Sequence, residues 1–143
     1  MMRIKDVLGK IKVKDITHTE FISLDPSMSI EDAVREEFTK HDYGVIPIAC
    51  GNNILGLLTL SDIKKIPRLQ RNNIQVSQIM KKVSNNNSLH REESALVALT
   101  KMVKAKADLL PVVENTSIKG IVTQDDLLGI INNTAEGNSA LLT

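Results

Sequence analysis

The sequence predicts an α+β fold in which two pseudo-symmetric β-α-β-β-α units pack sheet to sheet. Three observations predict it. Residues 43–66 and 107–130 repeat one another at an offset of 64. Each copy carries a helical spacing followed by two short apolar runs. The 143 residues amount to one ordinary domain, or two half-size units sharing a core.

The elements follow in chain order. Pro47 falls on Pro111, Gly56 on Gly120, Thr59 on Thr123 and Asp62 on Asp126, while Val13-Lys14-Asp15-Ile16 echoes Val76-Ser77-Gln78-Ile79. A short leading strand is predicted near 20–24 and again near 87–90. Ile30, Ala33, Val34 and Phe38 then recur at helical spacing, as do Ala95, Ala98, Leu99, Met102 and Val103, with Ser29 and Ser94 placed as N-caps. Apolar runs at 44–49 and 54–58, and at 108–113 and 118–122, flank polar turn residues and read as hairpins. Second helices are expected at about 60–66 and 124–132. These assignments divide the chain into a lead-in (1–12), a first unit (13–66), a linker opened by Pro67 (67–74), a second unit (75–132) and a patternless tail (133–143) expected to fray. Two such units bury their bare sheet faces against each other and leave paired clefts, a usual place for small ligands.

Composition removes several functions. Eighteen Lys+Arg against seventeen Asp+Glu give a net charge of +1, so no global field marks the chain for nucleic acid or an acidic membrane. Phe21, Phe38 and Tyr43 are the only aromatics, too few to stack single-stranded bases. No apolar run approaches the length of a membrane span. The single cysteine, Cys50, has no cationic sequence neighbour to activate it and fits a reducing compartment. These features point to a soluble, cytoplasmic protein. His18, His41 and His90 show no metal-ligand spacing, and no candidate base accompanies a nucleophile, so no catalytic or metal-binding residue is expected.

The chemistry lies in Gly56-Leu57-Leu58-Thr59-Leu60-Ser61-Asp62 and its copy Gly120-Ile121-Val122-Thr123-Gln124-Asp125-Asp126. Thr-x-x-Asp at a strand-to-helix junction is close to a capping box. The same geometry serves a ligand: the helix N-terminus and hydroxyl can hold phosphate, and the carboxylate can accept both hydroxyls of a ribose. A cap can also face a cleft, so both readings stand.

With these duplicated elements and the apolar-Pro-apolar strands at Pro47 and Pro111, the chain resembles a tandem pair of cystathionine-β-synthase-type (CBS) domains, a Bateman module, over about residues 11–132. The resemblance implies frequent dimerisation and binding of AMP, ADP, ATP or S-adenosylmethionine as a regulatory ligand, with no cofactor required. It places Asp62 and Asp126 on ribose hydroxyls and Thr59 and Thr123 on phosphate. Adenine would lie between the leading strands (Ile22, Ser23; Ser88) and the strands at Ile46-Pro47 and Leu110-Pro111. The second leading strand departs from the pattern in being Asn-rich. Lys64 and Lys65 follow Asp62, whereas Asp125 precedes Asp126, so the first cleft is expected to prefer a phosphorylated ligand and the second a neutral or cationic one, or none. A narrower resemblance links Val34–Phe38 and Leu60–Arg68 to the cytosolic CBS tail of site-2-type intramembrane metalloproteases.

Three functions compete: a regulatory adenosyl-ligand module acting on a partner or attached domain, a dimerising interaction scaffold whose Thr-x-x-Asp elements are caps only, and an enzyme. The first is preferred, and nucleotide binding separates it from the second. The homodimer is the expected assembly, with the regulated partner unidentified.

Overall fold

A computed structural model describes backbone residues 3–142 and side chains 3–134. Both hairpins form as the alternation predicts. In the first, β1 (Val45–Cys50) pairs antiparallel with β2 (Asn53–Thr59); in the second, β4 (Leu109–Glu114) pairs with β5 (Ser117–Thr123). Gly51 and Asn115 open the two turns with φ of 59° and 57°, a left-handed conformation that Gly and Asn accept most easily. Matching bulges leave Leu55 and Lys119 as the extra residues, so Ile54 and Leu57, like Ile118 and Ile121, reach the same core. The hairpins join at their turn ends, through Asn53 opposite Ser117. From there their inner faces close: Val45, Ala49 and Leu57 share one core with Leu109, Ile118 and Ile121.

Ser29 and Ser94 cap their helices, accepting from the backbone N–H of Asp32 and Val97 at 3.1 Å each. The first helix is α2 (Ile30–Ala33), which widens into a π-turn over Val34–Phe38; its counterpart α5 (Ala95–Ala105) is regular. α3 (Leu60–Ile63) is one turn, shorter than the predicted 60–66, because Pro67 disfavours helix at the residue before it. In the second copy, where no proline intervenes, α6 runs Gln124–Leu142, past the predicted end near 132 and through the predicted tail. The linker is a 3-10 turn over Arg68–Asn73, held where Arg71 Nε donates to the Ile66 carbonyl at 3.0 Å.

Two expectations need correction. The leading strands at 20–24 and 87–90 reduce to single parallel bridges, Leu24 to Ile48 and Leu89 to Val112. The next rung of each ladder would require the nitrogen of Pro47 or Pro111 to donate, and proline has no N–H. The division into units also assigned each Val-x-x-Ile opening to the copy it precedes, and the hydrogen bonds cross between copies. Val13 N–H donates to Glu93 O and Ala95 N–H to Ile11 O, whereas Ile30 N–H donates to Ile74 O and Val76 N–H to Met28 O. Each unit's opening segment therefore packs on the other unit, with α1 (Ile4–Lys10) before the first and α4 (Val76–Ile79) within the second.

This exchange explains the glycine of each duplicated motif. After α4, β3 (Lys81–Lys82) crosses Gly56 and Leu57, and in the other copy His18 bridges Ile121. A Cβ on Gly56 would meet the Lys81 carbonyl and the Met80 sulfur; one on Gly120 would overlap the Thr17 side chain and the His18 carbonyl.

Candidate ligand-binding site

The threonine of each motif ends a strand and caps the following helix. Thr59 accepts from Asp62 N–H at 3.1 Å, and Thr123 from Asp126 N–H at 3.3 Å. Only the second box closes. Asp126 Oδ2 also accepts from Thr123 N–H and Oγ1–H, both at 2.9 Å. Asp62 makes no such return bond among the described contacts; its carboxylate faces Lys65 at 3.5 Å and Lys81 at 3.9 Å.

The crossing segments bring a basic side chain to each carboxylate. His18 Nε2 lies 2.8 and 3.0 Å from the two oxygens of Asp126, and Lys81 takes the equivalent place beside Asp62. Both side chains come from the exchanged segments.

Two cavities flank these pairs, and each mixes residues from both units. The first, about 410 Å³, places Ile22, Ile46, Pro47 and Tyr43 of one unit opposite Leu109 and Ile121 of the other. Ile22 is free to line it because the leading strand has no partner at Pro47. Tyr43 on this wall donates its hydroxyl to Asp125 at 3.1 Å, the residue before Asp126. The nearby Thr123 hydroxyl pulls the phenol's pKa down, but burial and the Asp125 and Asp126 carboxylates outweigh it, so the pKa is raised and the proton stays on the donor. Glu20 and His41 complete the rim.

The second cavity, about 350 Å³, is lined by Thr59, Leu60, Lys106, Asp108 and Gln124. Lys106 also borders a larger open groove of about 930 Å³ with Lys81, Asn86, Asn87, Lys101 and Lys104. Asp62 is therefore approached by one lysine from each unit, Lys65 and Lys81, and Thr59 shares its cavity with Lys106 of the second unit.

The structure thus unites Ile22, Ile46 and Pro47 in one cavity, linked through Tyr43 to the Thr123–Asp126 helix start, and sets Asp62 against Lys65 of its own unit and Lys81 of the other. It does not bring the other predicted residues to these places. Leu110 is fully buried in the core, and Pro111 is buried. Ser23 lines a separate open cleft with Thr19 and Lys119, since neighbouring residues of an extended segment face opposite ways. Ser88 donates its hydroxyl back to the Ser84 carbonyl, and Lys64 is exposed away from both cavities. Reading single motifs missed Tyr43, His18, Lys81 and Lys106. A signal for two of them existed: His18 and Lys81 both follow the matched Val-x-x-Ile openings.

Comparison with known proteins shows the family and the fold. The CBS domain family profile matches residues 13–68 and 76–133. The arabinose 5-phosphate isomerase KdsD of Francisella tularensis is 34% identical over 123 residues, covering 82% of this chain and 37% of the isomerase. The chain spans about two-fifths of the length of the curated relatives it matches. Among solved structures, the CBS domain pair of protein MJ0100, in complex with 5′-methylthioadenosine and S-adenosyl-L-methionine, is 28% identical with a TM-score of 0.70, covering 86% of this chain and 97% of that one. The CBS domain of the bacterial CNNM/CorC family Mg2+ transporter, in complex with ATP, shares the fold at 19% identity and a TM-score of 0.71, covering 87% and 89%.

Proposed function

Because the chain belongs to the CBS domain family, as a tandem pair, we propose that it is a regulatory module that senses an adenosine-containing ligand between its two units and controls a partner protein or an attached domain. The observation that carries the reading is a cavity shared by the two units, whose apolar wall of Ile22, Ile46 and Pro47 includes Tyr43, which bonds Asp125 within the Thr123–Asp126 helix start. The wall suits an adenine ring, and the carboxylate suits a ribose diol. The two half-sites divide by charge. The Asp126 side, with Glu20 and Asp125 close by, favours an adenosyl ligand with a neutral or cationic tail, such as S-adenosylmethionine. The Asp62 side, with Lys65 and Lys81 at the carboxylate and Lys106 in the Thr59 cavity, favours AMP, ADP or ATP. The module performs no chemistry on the ligand. It works in the cytoplasm as a homodimer, and ligand binding acts by favouring one arrangement of the pair over another.

Thermal unfolding with AMP, ATP and S-adenosylmethionine, repeated on Asp62→Ala and Asp126→Ala, tests the reading. A ligand at one hundred times its dissociation constant adds about 2.7 kcal/mol to stability. Stabilisation by AMP or ATP is expected to vanish in Asp62→Ala, and stabilisation by S-adenosylmethionine in Asp126→Ala. A well-folded protein that responds to none of the three would instead be an interaction scaffold whose Thr-x-x-Asp elements only cap helices.

A further inference from the structure

We propose that His18 sets the ligand affinity of the Asp126 half-site by occupying the carboxylate that a ligand diol would take. The proposal rests on the adenosyl-ligand reading of that half-site. His18 Nε2 lies within hydrogen-bond distance of both Asp126 oxygens, at 2.8 and 3.0 Å, which is the bridging position of a vicinal diol. An ionised carboxylate only accepts, so Nε2 carries the proton of this bond. Thr123 N–H and Oγ1–H already fill Oδ2, so an incoming diol must displace the imidazole to reach Oδ1.

The backbone under His18 is fixed. Its N–H donates to Ile121 O and its carbonyl accepts from Ile121 N–H, both at 2.9 Å, with Thr17 packed over Gly120. Only the ring has to leave. The His18 side chain is 52% exposed, so a rotamer with the imidazole in solvent is open to it. The bifurcated imidazole donor is then exchanged for the diol's hydroxyl donors at Oδ1. The matching position of the Asp62 half-site carries no such lock, because Lys81 stands off at 3.9 Å.

Isothermal titration of the whole chain in an Asp62→Ala background, with S-adenosylmethionine and AMP as probes, isolates the Asp126 half-site. His18→Ala is expected to bind about three- to tenfold more tightly, the worth of one net hydrogen bond. His18→Gln keeps a donor near the carboxylate and is expected to gain less than His18→Ala. A ligand-free readout accompanies the titration: the 15N signal of His18 Nε2 should move in Asp126→Asn. Binding that is unchanged or weakened by His18→Ala, or a 15N signal indifferent to Asp126→Asn, would overturn the proposal alone. Absence of binding in every variant would overturn the adenosyl reading and the competition with it.

Discussion

Thr59 with Asp62, and Thr123 with Asp126, occupy the same place in a duplicated fold, yet the first pair is open and the second closed. Asp126 gathers the backbone and hydroxyl of Thr123 and the imidazole of His18, whereas Asp62 holds two lysines at 3.5 and 3.9 Å. Burial does not separate them: the carboxylate side chains are 17% exposed at Asp62 and 21% at Asp126. What differs is the residue that the exchanged segment delivers, a short ring in one copy and a long flexible ammonium in the other. The short imidazole on a paired backbone reaches Asp126 at 2.8 Å, whereas the Lys81 ammonium stands off from Asp62 at 3.9 Å.

The comparison breaks first at the crossings. Gly120→Ala is expected to destabilise by about 3 kcal/mol, because the new Cβ meets the His18 carbonyl, which cannot move without losing its pairing to Ile121. Gly56→Ala should cost about 2 kcal/mol, part of the clash being with the flexible Met80 side chain. Urea unfolding reads both, and equal costs would mean that the two crossings are equally tight.

The carboxylates come next. Asp126→Ala should cost about 2 kcal/mol for the lost bonds to Thr123 and His18, whereas Asp62→Ala should cost about 0.5 kcal/mol, the value of an acid in the first turn of a helix. A large loss at Asp62 would show a box as closed as its counterpart. The caps differ less: Thr59→Ala is expected to lose about 1 kcal/mol and Thr123→Ala slightly more, because the latter hydroxyl both accepts and donates.

The smallest effect lies in the opening segment that carries His18. Glu92 receives Lys14 and Lys12, and the Lys14 hydrogen bond foremost holds its carboxyl below the ordinary value. A depressed carboxylate pKa stabilises the fold above the ordinary carboxylate range and loses that stabilisation as pH falls through it. Hydrogen-exchange protection of Val13 and Lys14, taken relative to the intrinsic rate at each pH, should therefore fall on acidification in the native protein and be less pH-dependent in Glu92→Gln.

Both hairpins, the Ser29 and Ser94 caps and the Thr caps of the duplicated motifs were legible in the chain, because alternation and capping are decided by residues a few positions apart. The leading strands were misjudged where one missing N–H, at Pro47 or Pro111, stopped a ladder that composition favoured. The site was legible in its carboxylates and threonines and in Ile22, Ile46 and Pro47. It was not legible in the partners those residues meet.

By itself, then, the sequence determined the duplication, the elements and the carboxylate at each helix start. Only the tertiary structure decided that each opening segment crosses the opposite unit, that the first cavity draws its walls from both units, and that His18 bonds Asp126, 108 residues away. The first set depends on hydrogen bonds and periodicity within a turn or a hairpin. The second depends on which buried surfaces meet when the units close, and no local pattern records it.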